Sequence, residues 1–329
     1  MSKRKWIVAV IAGAVAVMAV RARQLLARWA SNADPVGGQA IRFPEGRHRT
    51  VILPDGAEIA TVTAGEGPTI VCVHGLTGSR HDWGPIAAGL LDAGFQVVAV
   101  EQRGHGDSTP GVAGYGSAQL GVDLGLVLSE LDIRAVALMG HSMGGMAAMA
   151  YAVDQPVELR SRCSTLILIA TAASLTLRGS ALAFRLSGLP LPQRLIPSDK
   201  RLRLGTGVTV FGQDPSIHLI DSAIRSARRL PEPVRAGATA ALSNHDLKQR
   251  VAEIDVPTLV IGGSRDRLIW PKWVQELASS IPNAELHMLE GAGHMVIWER
   301  HTVIVDLVRQ FVASQDADVG SFPASGTKA

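Results

Sequence analysis

The chain has few cysteines and few aromatic residues, and both shortages narrow its possible functions. Its 329 residues include two cysteines, and Phe, Trp and Tyr together make up 4%. Two cysteines exclude a framework of several disulfides. The aromatic residues do not interleave with the basic ones and no recognition motif for nucleic acid occurs, so nucleic acid is not an expected partner. The core must be built mainly from Val, Leu, Ile and Ala.

Motifs for metal ions and cofactors are also missing. His245 and His287 have no possible metal ligands at a useful spacing. The chain has 34 glycines, but no Gly-rich segment has the phosphate-loop pattern. The sequence therefore predicts neither a metal nor a cofactor.

Short apolar runs alternate with helical patterns of about 12 residues, a pattern typical of crossover connections and parallel strands. With 47% hydrophobic residues, a chain of this length can bury a large core. We predict an α/β fold with a doubly wound, mainly parallel, eight-stranded sheet. The strands are predicted near residues 49–53, 57–63, 69–74, 96–101, 135–141, 164–170, 257–262 and 284–289.

The segment Gly140-His141-Ser142-Met143-Gly144 follows an apolar run and precedes a helix-forming stretch of small residues. A serine between two glycines at a strand-to-helix turn is typical of a nucleophile elbow. Glycines are needed two positions before and after the serine, because a Cβ there would collide with the neighbouring strand or helix. The pattern predicts that Ser142 is a nucleophile at a helix N-terminus, where developing negative charge is favoured.

A serine nucleophile needs a general base and a carboxylate that orients the base. Asp266 follows the predicted strand 257–262, and His294 follows the strand 284–289. Open parallel sheets carry their functional groups at the carboxyl ends of the strands, which is where Ser142, Asp266 and His294 all fall. We predict a catalytic triad of these three residues.

Two upstream segments complete a family resemblance. The apolar run Thr69-Ile70-Val71-Cys72-Val73 leads into His74-Gly75-Leu76, and the stretch from Val97 to Ser108 is similar to a strand followed by a D-x-R-G-x-G-x-S turn. Together with the serine, acid and histidine segments, they resemble the α/β-hydrolase superfamily over roughly residues 48 to 313. The resemblance implies that the backbone amides of Leu76 and Met143 form the oxyanion hole. Glu101 stands where the family usually has Asp, and we interpret it as a support for the turn.

The elbow segment resembles monoacylglycerol lipases and related hydrolases of small esters. We therefore expect a serine hydrolase that cleaves a carboxylic ester with a lipid-like or aliphatic acyl part, in an oligomeric state that the sequence does not indicate. Cofactor-free haloperoxidases and carbon–carbon bond hydrolases of the superfamily have similar elbows, so either activity is an alternative, as is a non-catalytic protein that binds a hydrophobic ligand. Ser142 argues against epoxide hydrolases and haloalkane dehalogenases, which use an Asp at the elbow.

The sequence predicts a hydrolase domain over residues 34–329 with two attachments. The stretch of about 174–250 is too long for a simple crossover, and in this superfamily such an insertion forms a cap over the active site. It carries a net charge of +7, which suits either contact with anionic lipid headgroups or a solvated surface. The polar residues 314–329 are predicted to be a disordered tail.

Residues 1–33 resemble a membrane-targeting segment. Lys3-Arg4-Lys5 precedes the uncharged run from Trp6 to Val20, and arginines follow it. We expect an uncleaved signal-anchor with a single N-terminal span, because arginines occupy the place where a cleavage site needs small residues. A secreted enzyme whose signal is removed, and a cytosolic chain, are the alternatives.

Overall fold

The computed structural model describes residues 3–38, 41–134, 136–175 and 197–319. One sheet lies at its centre, and its strands are β1 (Arg47–Ile52), β2 (Glu58–Ala64), β3 (Thr69–Val73), β4 (Gln96–Val100), β5 (Val136–His141), β6 (Cys163–Ile169), β7 (Thr258–Gly263) and β8 (Ala284–Leu289). Their order across the sheet is β1-β2-β4-β3-β5-β6-β7-β8. The β1–β2 and β2–β4 pairs are antiparallel, and the other neighbours are parallel.

Helices cover both faces of this sheet. They are α1 (Lys3–Ser31), α2 (Gly84–Asp92), α3 (Ser117–Glu130), α4 (Met143–Asp154), α5 (Pro156–Arg162), α6 (Ser198–Val210), α7 (Ile217–Arg229), α8 (Glu232–Leu242), α9 (Pro271–Ser280), α10 (Val296–Glu299) and α11 (His301–Val319). Short 3₁₀ helices span Arg80–Trp83 and Val251–Glu253.

Two apolar clusters fill the space between the helices and the sheet. Val71 and Val73 of β3 contribute to the cluster beneath α3, α4 and α9. Ile70 and Cys72, the alternate residues of the same strand, contribute to the cluster beneath α2, α10 and α11. A strand covered on both faces is apolar along its whole length, and this explains why continuous apolar runs predicted the central strands.

The predicted fold class is confirmed, and every predicted strand lies within two residues of an observed one. Cys72 and Cys163 are free and buried on β3 and β6. These strands are separated by β5.

The connection between β6 and β7 contains α6, α7 and α8. It is the stretch predicted to form a cap, and its residues 176–196 lie outside the described part of the chain. Among its basic residues, Arg203 pairs with Asp221 at 2.7 Å and Arg250 pairs with Asp154 at 2.5 Å. Part of its positive charge is therefore neutralised by neighbouring carboxylates.

The prediction of a membrane anchor is wrong. Within the described residues, none of the helices is both long enough and apolar enough to cross a membrane. The uncharged run of Trp6 to Val20 is shorter than the roughly 20 residues that a span requires, and α1 continues past it through three arginines to Ser31. Membrane attachment through this segment, and the membrane localisation inferred from it, are therefore not supported.

The second half of α1 instead packs on the insertion. Trp29 is buried, and a Cβ on Gly207 of α6 would lie 2.5 Å from its ring. Arg28 pairs with Asp214 at 2.5 Å, and the Asn32 side-chain amide donates to the carbonyl of Pro215. The helix is therefore docked on the protein body through both apolar and polar contacts.

The C-terminal helix is longer than the sequence indicates. The tail was predicted to begin at residue 314, but α11 continues to Val319. Residues 320–329 lie outside the described part of the chain.

Candidate active site

Ser142 occupies the turn between β5 and α4. Its backbone has φ 53° and ψ −118°, a conformation that side-chain-bearing residues seldom adopt and that costs about 1–3 kcal/mol. A Cβ on Gly140 would lie 2.5 Å from the Gly144 oxygen, and a Cβ on Gly144 would lie 2.1 Å from the Val73 oxygen. The two glycines therefore allow helix and strand to approach closely enough for this turn.

Neighbouring backbone holds the turn in place. The Ser142 amide donates to the Ile169 carbonyl at 2.9 Å, and the Ser142 carbonyl accepts from the Thr171 hydroxyl at 2.9 Å. Both partners lie at the carboxyl end of β6 or just after it. Hydrogen bonds to the adjacent strand therefore hold Ser142 in place. A strained conformation persists only when its surroundings hold it in this way.

The three predicted polar side chains meet at this edge of the sheet. His294 Nε2 is 3.0 Å from Ser142 Oγ, and His294 Nδ1 is 2.8 Å from Asp266 Oδ2. Because Nδ1 donates to the carboxylate, Nε2 remains free to accept the serine proton. An imidazole in this arrangement can activate a serine hydroxyl as a nucleophile.

Asp266 is buried and its second oxygen is also occupied. Oδ1 accepts from the backbone amides of Leu268 at 2.8 Å and Ile269 at 2.9 Å. These two bonds fix the carboxylate plane, so that Oδ2 points at the His294 ring. The acid can therefore orient the imidazole and stabilise a positive charge on it.

Leu76 and Met143 lie on either side of Ser142 in the fold. Leu76 belongs to the loop of residues 74–79 that follows β3, here called the oxyanion loop, and Met143 is the first residue of α4. A Cβ on Gly75 would lie 3.1 Å from the Ser142 Cβ, so this loop passes against the serine. In the part of the chain that the structure describes, neither the Leu76 nor the Met143 amide donates a hydrogen bond. No described group therefore occupies either donor.

The oxyanion loop is supported from β4 and from α7. Glu101, at the end of β4, accepts from the Arg80 guanidinium at 2.6 Å and from the Asp107 amide at 2.8 Å. Ser226 of α7 donates to the Thr77 carbonyl at 3.0 Å. The structure places Glu101 at the turn, in agreement with the supporting role interpreted from the sequence.

An apolar cluster adjoins the two amide-bearing residues. Met143 is buried with Leu120, Ala147 and Ala238 of α8. Leu76, Tyr115 and Leu242 pack against this cluster and are only partly buried. The side chain that follows Ser142 therefore lies in apolar surroundings.

Two residues next to His294 were missed by the sequence analysis. Glu299 is buried, and its carboxylate accepts from the backbone amides of Gly212 and Gly293. His141 donates through Nε2 to the His294 carbonyl at 2.9 Å, and burial lowers the pKa of His141 to about 3, which keeps it neutral. A sequence signal existed for Glu299, because it is the one acid in the apolar run that follows His294.

The described residues contain no group of three or more His, Cys, Asp or Glu side chains placed to hold a metal ion.

Comparisons with known proteins agree with this fold. A family model described as the alpha/beta hydrolase family matches residues 70–307. A 2-hydroxy-6-oxononadienedioate/2-hydroxy-6-oxononatrienedioate hydrolase of Cupriavidus pinatubonensis is 29% identical over 286 residues, which cover 82% of this chain and 96% of the relative. A non-heme chloroperoxidase of Kitasatospora aureofaciens is 26% identical over 252 residues, which cover 73% of this chain and 90% of the relative.

Among solved structures, an esterase from Exiguobacterium antarcticum superposes with a TM-score of 0.71 at 21% identity, covering 81% of this chain and all of the esterase. That likeness concerns the fold. The family model, in contrast, spans the sheet from β3 to β8 and includes the serine turn, the Asp266 loop and the His294 loop. By that match the chain is a hydrolase, and it belongs to the alpha/beta hydrolase family.

Proposed function

We propose that this hydrolase cleaves a carboxylic ester through an acyl-enzyme intermediate on Ser142. The observation that carries the proposal is the unbroken hydrogen-bond line from the Ser142 hydroxyl through the His294 ring to the Asp266 carboxylate. The backbone amides of Leu76 and Met143, which donate to no described group, supplement it. Together they supply a nucleophile, a base and donors for an oxyanion.

In the first half of the reaction, Ser142 Oγ attacks the ester carbonyl carbon and its proton passes to His294 Nε2. The carbonyl oxygen becomes an oxyanion, which accepts hydrogen bonds from the amides of Leu76 and Met143. Asp266 holds the imidazolium. His294 then gives its proton to the departing alcohol oxygen, the bond between that oxygen and the acyl carbon breaks, and the acyl group remains on Ser142.

In the second half, a water molecule takes the place of the alcohol. His294 Nε2 removes a proton from the water as its oxygen attacks the acyl carbon. The same amides hold the second oxyanion. The bond to Ser142 then breaks, and the proton on His294 returns to Ser142 Oγ as the carboxylic acid departs.

The aliphatic cluster beside the oxyanion donors supports an acyl group with an aliphatic part. Leu76, Tyr115 and Leu242 pack against the cluster that contains Met143 and are only partly buried, so we infer that they offer apolar surface to a substrate. Each CH₂ group buried there adds about 0.8 kcal/mol of binding free energy. We therefore infer that a small-molecule or lipid-like ester with an aliphatic acyl part is the substrate class.

Carbon–carbon bond hydrolysis is the second candidate. It is favoured by the relative from Cupriavidus pinatubonensis, which is named as a hydrolase of a dienedioate and is covered over 96% of its length. The same serine, histidine and aspartate side chains would then act on a carbonyl carbon whose leaving group is a carbanion equivalent. The apolar border of the site gives less support to a substrate with two carboxylates.

The first test is labelling with a fluorophosphonate probe, which reacts with an activated serine. We expect wild-type protein to be labelled at Ser142, as located by peptide mass analysis, and the Ser142→Ala protein to remain unlabelled. Labelling elsewhere, or none at all, would contradict the assignment of the nucleophile.

The second test is a panel of p-nitrophenyl esters from acetate to decanoate, compared with a vinylogous 1,5-diketone followed by its ultraviolet absorbance. Ester turnover with a maximum at an intermediate chain length supports the proposal. Turnover of the diketone without ester turnover would instead favour the carbon–carbon activity.

A further inference from the structure

The loop that carries His294 lies against a segment of the insertion between β6 and β7. The His294 amide donates to the Val210 carbonyl at 2.9 Å, and the Gln213 amide donates to the Gly291 carbonyl at 2.7 Å. A Cβ on Gly212 would lie 2.0 Å from the Gly291 oxygen, so the two backbones touch. The histidine loop therefore rests on residues 210–213, which are far from it in sequence.

Glu299 joins these two segments. Its Oε2 accepts from the Gly212 amide and its Oε1 from the Gly293 amide, both at 2.9 Å. Glu299 forms no ion pair with any described residue, and the neighbouring Arg300 guanidinium donates to backbone carbonyls instead. The two amides are thus the groups that solvate this buried carboxylate.

The backbone of His294 is fixed on its other side by His141. Nε2 of His141 donates to the His294 carbonyl at 2.9 Å. Val210 accepts from the His294 amide, so both polar backbone groups of His294 have partners. Glu299 accepts from the amide of Gly293, the residue before His294. Of these partners, Glu299 alone contacts both the histidine loop and the insertion through its side chain.

We propose that Glu299 is a positioning residue for His294. It acts by holding Gly293 against Gly212 through its two hydrogen bonds, an arrangement here called the clamp. This proposal rests on the proposed role of His294 as the base. The His294 ring must meet Ser142 and Asp266 at once, and a displacement of about 1 Å can cost roughly 100-fold in rate. A carboxylate that accepts from two backbone segments fixes the loop more firmly than contacts within the loop could.

The principal experiment is Glu299→Gln in the full-length protein. The glutamine has the same shape, but only one of its terminal groups can accept, so one amide loses its partner. We expect kcat for p-nitrophenyl acetate to fall about 10- to 100-fold with KM changed less than about threefold. Burial raises the pKa of Glu299, while its hydrogen bonds from the Gly212 and Gly293 amides lower it. Loss of the ionised carboxylate from beside Gly293 should also move the acid limb of the pH profile of kcat/KM to lower pH.

A second variant tests the clamp without changing an acid. Gly212→Ala places a Cβ against the Gly291 oxygen and forces the two segments apart. It should reproduce the fall in kcat. Because this variant retains Glu299, the acid limb of its pH profile should stay closer to that of the wild type.

The matched control is Asp123→Asn. Asp123 is also a buried carboxylate, but it pairs with Arg103 and forms no hydrogen bond or ion pair with any of residues 290–300. We expect this variant to lose thermal stability and to keep the wild-type kcat and pH profile when folded.

The rate of fluorophosphonate labelling separates the two proposals, because it reports the activation of Ser142 whatever the natural substrate is. Slow labelling of folded Glu299→Gln supports the clamp even if wild-type protein cleaves no ester. Two results would overturn the clamp. One is a Glu299→Gln protein with wild-type kcat and wild-type labelling rate. The other is a loss of kcat that Asp123→Asn matches, without a shift in the acid limb of the Glu299→Gln pH profile.

Discussion

At the scale of single residues, Ser142 combines a reactive side chain with a strained backbone. Its φ of 53° is costly for any residue with a Cβ and nearly free for glycine. The strain is imposed by the strand and helix on either side of the turn. Activity and stability therefore make opposite demands at this position.

Ser142→Ala and Ser142→Gly form a matched pair that separates these demands. Both should lose on the order of 10⁴-fold or more in esterase turnover, because neither has a hydroxyl. Only the glycine variant relieves the backbone, so we expect its free energy of unfolding to exceed that of the alanine variant by about 1 kcal/mol. Chemical denaturation of both proteins measures the difference. A glycine variant that is less stable than the alanine variant would show that the turn is not strained, because glycine gives the unfolded chain about 0.4–1 kcal/mol of extra conformational entropy.

The Asp266→Asn variant tests the proposed role of Asp266 in the same esterase assay. The amide would leave the His294 ring in the wrong tautomer, and turnover should fall by up to roughly 10⁴-fold while the oxyanion hole sustains a residual rate. Thermal unfolding of this variant serves as the control for folding. Undiminished turnover would remove Asp266 from the proposed mechanism.

We expect the ionisation of Asp82 to make the stability of the protein depend on pH. Burial raises its pKa to about 7, and the nearby Glu101 adds to this, although the Ser79 and Ser226 hydrogen bonds oppose it. The folded protein thus keeps a proton that the unfolded chain releases near its ordinary pKa of about 3.9. The contribution of Asp82 to stability therefore decreases as the pH rises from about 4 to about 7.

Asp82→Asn cannot ionise, so its free energy of unfolding should rise relative to that of the wild type over that pH range. Because one pKa unit corresponds to about 1.4 kcal/mol, we expect the unfolding free energy of the variant, relative to wild type, to be more than about 1 kcal/mol higher at pH 8 than at pH 5. Urea denaturation at both pH values measures it. A difference that does not depend on pH would mean that Asp82 has an ordinary pKa.

At the scale of elements, α1 belongs to the folded body. Trp29 is 3% exposed and lies in the apolar cluster beneath α2 and α11. A deletion that starts the chain near Asp34 would uncover this cluster and remove the partners of Asp214 and Pro215. From the sequence alone, the same deletion would be expected to leave the domain unaffected.

We predict that this deletion lowers stability, and that Trp29→Ala reproduces most of the loss. Removing a buried Trp costs about 3–5 kcal/mol. Trp6→Ala, at an exposed position on the same helix, is the control and should change the melting temperature little. Unchanged melting of the truncated protein would show that the docking of α1 contributes nothing.

The elements differ in how far the sequence could predict them. The central strands are buried on both faces, so their apolar runs identify them without reference to any partner. The docking of α1 depends on Gly207 and Ile220, about 180 and 190 residues after Trp29, and no local pattern shows this. The side chains of Ser142, Asp266 and His294 were found because strand ends converge, whereas Glu299 needed the fold to bring Gly212 beside it.

At the scale of the whole molecule, one sheet connects both apolar clusters, which indicates cooperative unfolding. Cys72 and Cys163 are suited to report it, since both are buried and burial raises the pKa of Cys163 to about 12. We predict that neither thiol reacts with an aromatic disulfide reagent in the native protein. During denaturation both should become reactive in one transition that coincides with the loss of activity. A thiol that reacts while activity persists would indicate separate unfolding of part of the sheet.

The order of the strands also bears on how the enzyme is made. From β5 onward the sheet grows toward one edge in the order of synthesis, and β8, which leads into His294, is the outermost strand on that side. A growing chain can thus complete the serine turn long before its base exists. At about 5–20 residues per second, the ribosome needs several seconds to pass from Ser142 to His294. Over that interval the nascent protein would carry the proposed nucleophile without its proposed base, so hydrolysis would begin only after the His294 loop has been made.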